Sequence, residues 1–415
     1  MNNIYHSDVY QFDNPVSSYW EDTSSENLLI DKLRKDTNSE VVVIGGGYTG
    51  LLCAINLIEN HSLDVVLVEA GKIGWGASSR NAGFNCLPPS KMSFKKMQSI
   101  YGVEETKKFF RNSVEGSNYT KDIIKEFNID CDVTGDSNYV VAHHKNKFEQ
   151  IKEQAEVYKS EFGIETKMYS KEEFDEIGHG GTEQYGAFSY KPGFAINPLK
   201  FVNGIAKYAL SKKLKIFEHT KVDKIDKENG SYILRIKEGS IRSKKIVVAT
   251  NGFYQEGLIP QMDGRVLPVI SNIIVTRKLN EDEQNAHNFK TFSPIANTKN
   301  LLYYYRKLPD NRILFGTRGD LTGSDQSNLA MSKKMEKFLK NIFPKWSNIT
   351  IDYNWRGLIA LSQKLTPSIG KIDNEEIYYG FGYNGVGVSA APWTGKQLSK
   401  LVFSSNSKEL DISKI

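Results

Sequence analysis

Two β-branched runs, VVVI at 41–44 and VVLV at 65–68, flank a stretch in which Leu51, Ala54, Ile55 and Ile58 recur at helical spacing. An unbroken run of this kind predicts a strand covered on both faces, and the spacing between the runs predicts a helix. Strand, helix and strand then make a βαβ unit with parallel strands and a right-handed crossover. Farther on, residues 91–128 predict helices, with FFRNSVEGSNYTKDIIKEF strongly amphipathic. SNYVVAHH reads as a short strand and KNKFEQIKEQAEVYKSEF as another helix. Asn197-Pro198 opens a further helix as N-cap and first helical residue. Residues 214–250 predict strands with turns at Asn229-Gly230 and Glu238-Gly239, and 265–320 alternate in the same fashion through VLPVISNIIVTR, LLYYYRK and RILFGTR. The end, IYYGFGYNGVGVSAAPWTGKQLSKLVF, predicts a strand, a glycine loop and a final helix. The fold class expected is α/β (α+β overall): a Rossmann-like unit with a parallel sheet, plus a unit built on an antiparallel sheet, each drawn from discontinuous segments.

Composition narrows the function classes. The chain has 415 residues, 39% of them hydrophobic and 11% aromatic, enough for more than one packed core. Its 54 basic residues stand against 49 acidic ones, a net charge of +5, and no basic block interleaves with aromatics. Nucleic acid is therefore not an expected partner. The lysines of KFEQIKEQAEVYKSEFGIETK alternate with glutamates and read as solvated helix faces. Three scattered cysteines, Cys53, Cys86 and Cys131, make neither a disulfide framework nor a zinc site and suit a reducing compartment. His143-His144 alternate across a strand, so both cannot face one metal; no metal is expected. The start, MNNIYHSDVYQFDNP, lacks a basic n-region and an apolar h-region. The long apolar stretch VVVIGGGYTGLLCAINLI is broken by four glycines. A cytoplasmic protein with no signal peptide and no integral membrane segment is the expectation.

Gly45-Gly46-Gly47-Tyr48-Thr49-Gly50 fits G-x-G-x-x-G, a weak pattern alone but here set between a strand and a helix. Gly45 suits the tight turn, Gly47 a close approach to a pyrophosphate, and Gly50 the packing of helix on strand. The helix N-terminus offers free N–H groups and about half a positive charge to phosphates. Glu69, followed by Ala70, lies 24 residues beyond Gly45, where an acid takes the adenosine ribose hydroxyls, and a carboxylate there argues against NADP. The motif leaves NAD and FAD both open.

The stretch KIGWGASSRNAGF at 72–84 follows the second strand closely. With it go Val247-Val248-Ala249-Thr250-Asn251-Gly252, Glu218-His219-Thr220-Lys221-Val222 and Gly382-Tyr383-Asn384-Gly385-Val386-Gly387. In this order over residues 41–400 they resemble the D-amino-acid-oxidase-like flavoproteins. The resemblance implies non-covalent FAD. The loop Trp75, Gly76, Ala77, Ser78, Ser79, Arg80, Asn81, Ala82, Gly83 would run beside the flavin ring, with Trp75 buried as anchor and Arg80 supplying positive charge. Val222 would contact adenine, Ala249, Thr250 and Asn251 would pass the pyrophosphate side, and Gly382 to Gly387 would cover the pyrimidine edge. It divides the chain into an arm at 1–38, an FAD-binding domain at 39–90, 190–260 and 351–402, and a substrate domain at 91–189 and 261–350.

Within that family SYWEDT, GWGASSRNAGF, YYYRKLPDNRILFGTRGD and WRGLIALSQKLTPSIG look most like the subgroup around gamma-glutamylputrescine oxidase. Glycine-oxidase-like relatives clamp a substrate carboxylate with two arginines, where this chain has Ile359 and Tyr383. A primary or secondary amine without a tightly clamped α-carboxylate is therefore the expected substrate. Tyr303 falls near a pocket tyrosine of the family, and Arg318 is the candidate for an anionic end of the substrate or for an inter-domain ion pair. Tyr303, Tyr304, Tyr305 and Tyr254 suit either an amine pocket or sheet packing. Leu314 stands where sarcosine oxidase has an oxygen-activating lysine, which leaves oxygen or another acceptor open, and ALSQKLTPSIG has no cysteine to bond the flavin. Cys86 reads as a small buried hydrophobe. The chemistry implied is hydride transfer from the amine's α-carbon to flavin N5, with hydrolysis of the imine and no certain acid or base. The alternatives are an N-methyl amino acid, D-amino acid or glycine-type oxidase, and a flavin subunit that passes electrons to a partner protein.

Overall fold

The computed structural model describes residues 4–26, 28–87 and 92–404. Residues 1–3 and 27 of the expected arm, and 88–91 around the expected boundary at 90, lie outside the described residues.

The first β-branched run lies in strand Thr37–Ile44, whose Val41, Val42 and Val43 are fully buried. It pairs in parallel with Val65–Val68 on one side and Gly239–Val248 on the other. Lys215–Phe217 and Ile377–Phe381 extend the parallel set outward, and Ser368–Lys371 closes one edge antiparallel. Between the first two strands runs helix Tyr48–His61, which buries Leu51, Ala54 and Ile55 against this sheet. The C-terminal helix Gly387–Phe403 lies against it, so close that a Cβ on Gly395 would stand 2.6 Å from the Thr49 carbonyl oxygen. Asn197 caps helix Pro198–Ser211 by accepting from the N–H groups of Leu199 and Lys200. The Asn229-Gly230 turn has both residues at positive φ, 51° and 75°, the geometry a two-residue hairpin requires.

The second large sheet runs in the order 351–362, 266–276, 313–318, 304–307, 295–297, 138–141, 187–190, 166–169. Every neighbouring pair is antiparallel except 295–297 with 138–141. Its edge strand Ile351–Ser362 falls in a segment grouped by sequence with the nucleotide-binding unit. It pairs with Val266–Thr276 from Ser362 opposite Val266 to Ile351 opposite Thr276. The alternating burial that makes it half of an antiparallel pair carries no mark of which sheet it joins. The helical region past 91 resolves into Phe94–Tyr101 and Val103–Glu126, with Gly102 at φ 82° between them. Among the described residues no helix is long and apolar enough to cross a membrane.

Candidate active site

A cavity of about 310 Å³ opens where the C-terminal ends of the parallel strands meet one face of the antiparallel sheet. The site begins with the first strand's end. Gly45 sits at φ 114°, and a Cβ there would lie 2.7 Å from the Ala249 carbonyl oxygen, so this turn and the neighbouring strand's end fit only without a side chain. Gly50 is closed off in the same way, its Cβ position being 1.9 Å from the Gly45 carbonyl oxygen; it permits packing and does not line the cavity. Gly47 serves as N-cap of helix Tyr48–His61 and has no side chain to cap it, so that helix end faces the cavity with only its first N–H taken by a neighbouring side chain, Ser78.

Glu69 ends the second strand. Its two carboxylate oxygens accept from the N–H groups of Gly46 (2.7 Å) and Gly71 (2.9 Å), tying the glycine loop to the strand. Burial pushes this carboxyl above its usual range, against the lowering effect of those two N–H bonds. Glu218 ties down the following loop in a similar way: it is buried and accepts from the Ile73 N–H at 2.7 Å. Thr220, Lys221 and Val222, which follow it, line the cavity with Ala70.

The loop at 75–82 forms a turn of helix, Ala77–Arg80, along the cavity wall. Trp75, Gly76, Ala77, Ser78, Arg80, Asn81 and Ala82 line it, whereas Ser79 and Gly83 face inward. Ser78 accepts from the Tyr48 N–H through Oγ at 3.1 Å and from the Tyr48 hydroxyl through its carbonyl at 2.7 Å, joining loop to helix. Arg80 spreads over the Trp75 ring, 4.0 Å from its centroid, and donates to the carbonyls of Trp75 (2.7 Å) and Arg356 (3.2 Å). It makes no ion pair among the described residues, and desolvation lowers its pKa to about 9. A partly desolvated cation without a counter-ion is costly, and a bound anion would offset that cost.

Opposite this loop lies the C-terminal turn. Asn251, at φ 47°, accepts the Gly382 N–H at 3.0 Å and thereby joins two segments 131 residues apart in sequence. Tyr383 and Thr49 meet through their hydroxyl oxygens at 2.5 Å, tying the turn to the first helix. Tyr383, Asn384, Gly385, Val386 and Gly387 line the cavity with Ala249, Thr250 and Asn251, and Gly382 stands behind them. The N-cap residue of helix Gly387–Phe403, Val386, supplies no side-chain bond either, so two helix N-termini face the same space. The Thr250 hydroxyl and the Asn384 side-chain oxygen are buried there without a partner.

The far wall belongs to the antiparallel sheet. Arg318, at the end of strand Ile313–Arg318, reaches across to the turn, its Nη2 2.9 Å from where a Gly385 Cβ would stand. Its Nε has no partner and no carboxylate pairs with it among the described residues, so the ion-pair alternative fails. Desolvation lowers its pKa.

The tyrosines separate by strand parity. Tyr304 lines the cavity and bonds Ser271 Oγ at 2.8 Å. Tyr303 points the other way, into a core with Phe315 and Phe338, and Tyr305 bonds the buried His179 at 2.9 Å. Tyr303 therefore gives up the pocket position to its neighbour. Tyr254 closes a surface turn onto the Ile259 carbonyl. Leu314 is buried with Ile273 and Trp355 and does not line the cavity. Ile359 lines the wall, and so does Cys86, whose thiol burial raises to about 12. His143 lies beyond the strand's end at Val141, bonded to Thr298, and His144 is exposed.

Sequence reading missed Phe12, Asn138, Gln154, Tyr158 and Tyr190, all on the cavity wall. Each sits in an arm, helix or strand whose local pattern is accounted for by packing. Contacts between segments far apart along the chain bring them to the cavity.

These residues fit a flavin dinucleotide: a glycine cradle too tight for side chains, two helix N-termini whose N-cap residues supply no side-chain bond, two half-buried guanidinium groups with no carboxylate paired to them among the described residues, and buried polar atoms without partners. The family described as FAD dependent oxidoreductase matches residues 40–401. Gamma-glutamylputrescine oxidoreductase of Escherichia coli (strain K12) is 28% identical over 394 residues, 93% of this chain and 89% of that protein. Among solved structures, glycine oxidase from Geobacillus kaustophilus superposes with a TM-score of 0.74 at 17% identity, covering 91% of this chain and 97% of that one. L-proline dehydrogenase from P. horikoshii gives 0.71 at 20% identity, covering 92% and 96%.

Proposed function

The chain belongs to the FAD dependent oxidoreductase family, and we propose that within it the protein oxidises a C–N bond of an amine whose anionic group is received by Arg318. The observation that carries this reading is Arg318 itself: a half-buried guanidinium on the cavity wall with an unpartnered Nε and, among the described residues, no carboxylate paired with it. Ile359 and Tyr383 occupy the wall where a pair of arginines would hold a small α-carboxylate. That supports a longer amine over a free small amino acid. Gamma-glutamylputrescine, the compound in the Escherichia coli relative's name, is the first substrate to test, because a γ-glutamyl amide keeps a free carboxylate far from its amine.

FAD, held non-covalently, supplies the two-electron acceptor for the hydride leaving the carbon next to nitrogen. The residues proposed to hold it are Gly45, Gly47 and the first turn of the helix at Tyr48 and Thr49, with Glu69 and Ala70 toward the ribose. The loop from Trp75 to Ala82, Val222, Ala249 to Asn251 and Tyr383 to Gly387 complete the set. Arg80 and the N-terminus of helix Gly387–Phe403 favour negative charge beside the ring. Tyr304 and Ile359 exclude water and orient the amine, which enters unprotonated, so no side chain is assigned as its base. The three free cysteines support a reducing, cytoplasmic setting.

Anaerobic mixing of the flavin-loaded protein with a panel of amines tests the reading. The expected outcome is bleaching of the flavin band by an amine that bears a carboxylate. Arg318→Ala is expected to lower kcat/KM for that amine by about 10- to 100-fold, the worth of a charge-assisted hydrogen bond, and to leave neutral amines nearly unchanged. Equal losses for both, or no bleaching by any amine, would overturn it. Peroxide release measured against dye reduction separates oxygen from a protein partner as acceptor.

A further inference from the structure

The loop at 75–81 is braced from inside by Arg80 and Asn81, which donate to the Trp75 and Ala77 carbonyls, and from outside by three indole groups. The Asn81 carbonyl accepts from Trp20 Nε1 at 3.0 Å, and the Arg80 carbonyl from Trp355 Nε1 at 2.8 Å. Trp75 in turn donates its indole N–H to the Asn14 carbonyl at 2.8 Å. Two of these three bonds tie the loop to the N-terminal arm. The arm's course is anchored on both sides of the loop. Tyr5 donates to the Pro268 carbonyl, the His6 N–H to the Thr322 carbonyl, and the Asp8 carboxylate accepts the Asp325 N–H. Past the loop, Trp20 is 1% exposed and Tyr353 donates to Asp22 at 2.8 Å.

Between the anchors, Phe12 reaches the cavity wall. Its ring lies 4.9 Å from Trp75 and 6.2 Å from Phe253, and its carbonyl stands 2.8 Å from where a Gly71 Cβ would be, two residues past Glu69. Asp13 pairs with His219 at 2.9 Å, just before the segment Thr220–Val222 that lines the same end. The arm thus meets the cavity through Phe12, near the end lined by Glu69 and Val222.

We propose that the arm belongs to the cofactor site: Phe12 is a cofactor-binding residue on the adenosine side, Trp20 positions the ring-side loop, and FAD is released only when residues 10–20 move aside. This rests on the FAD reading above and adds to it a source of affinity outside the glycine motif. Linkage makes the effect reciprocal, so bound FAD must hold the arm down as the arm holds FAD.

The test uses the full chain, stripped of flavin and titrated with FAD by fluorescence. Phe12→Ala removes a half-buried side chain. Trp20→Phe keeps an aromatic ring and removes the N–H. Each is expected to raise the dissociation constant about tenfold, as losing one buried contact or one N–H···O bond does, with a faster release rate. Phe12→Tyr is expected to keep the parent affinity, and the melting temperature of the flavin-free Phe12→Ala protein to stay near the parent's. FAD is expected to slow chymotryptic cleavage within residues 10–20. The proposal is overturned if the parent binds FAD while Phe12→Ala and Trp20→Phe both bind within about twofold of it, or if FAD leaves arm cleavage unchanged. A parent chain that takes up no FAD sinks the cofactor reading instead.

Discussion

At the scale of single residues, the cavity is decided by where a side chain cannot be. Gly45 combines φ 114° with a carbonyl oxygen 2.7 Å from its Cβ position. Gly45→Ala is therefore expected to cost about 1–3 kcal/mol in backbone strain alone and to shift the strand end that carries Thr250. The purified variant should fold and show a much lower ratio of flavin to protein absorbance. Gly230→Ala is the control: it too has positive φ, at 75°, but meets nothing within 4 Å and lies in a surface hairpin, so its flavin content should match the parent's. Glycines were legible in the sequence because their spacing is tied to a turn. Arg80 and Arg318 were legible as charges in improbable places. Their missing counter-ions were not, since an ion pair joins positions of unrelated sequence separation. Tyr303 against Tyr304 was a question of parity, settled by which face of the sheet the strand turns to the cavity.

At the scale of elements, two helices bring the remote ends of the chain together. Helix Tyr48–His61 and helix Gly387–Phe403 touch backbone to backbone where Gly395 meets Thr49 and Cys53, at 2.6 and 3.0 Å from its Cβ position. Gly395→Leu should force them apart. The expected cost is about 1–3 kcal/mol, read as a lowered melting temperature of the flavin-free protein. Because the two helix N-termini would separate as well, FAD affinity should fall with it. A melting temperature equal to the parent's would show that the helices do not meet there. The helices themselves were predictable from period and caps, as Asn197-Pro198 illustrates. The partner sheet of strand Ile351–Ser362 was not, because a strand's alternation records that one face is buried and is silent about what buries it.

At the scale of the whole molecule, the core packed on the antiparallel sheet sets a pH dependence. His179 is fully buried between Phe174, Phe289 and Phe343, with Nε2 toward the Tyr305 hydroxyl and Nδ1 accepting the Gly181 N–H. Desolvation lowers its pKa to about 3, and the nearby His287 is lowered by burial too. The folded chain thus keeps His179 neutral, whereas the unfolded chain protonates it near 6.5. Between about 6.5 and 3 the unfolded state binds more protons, so the stabilisation is complete above about 6.5 and is lost as pH falls. Melting temperatures should drop between about pH 7 and pH 5, with a slope of up to about 1.4 kcal/mol per pH unit from His179. His179→Gln should flatten that slope, and an unchanged slope would remove His179 as its source. The same scale separates what sequence and structure each decide. Sequence alone determined the strand–glycine–helix cradle, the acid that follows it, the order of the 72–84 loop and the C-terminal segment, and the family, because local turns and helix starts demand particular residue types at short, countable spacings. Tertiary structure alone decided that Phe12 and Trp20 of the arm reach the loop, that Tyr304 rather than Tyr303 faces the cavity, and that Arg318 stands without a counter-ion among the described residues. Those contacts join residues far apart along the chain, and burial and charge balance between them exist only once both sheets have closed on the same space.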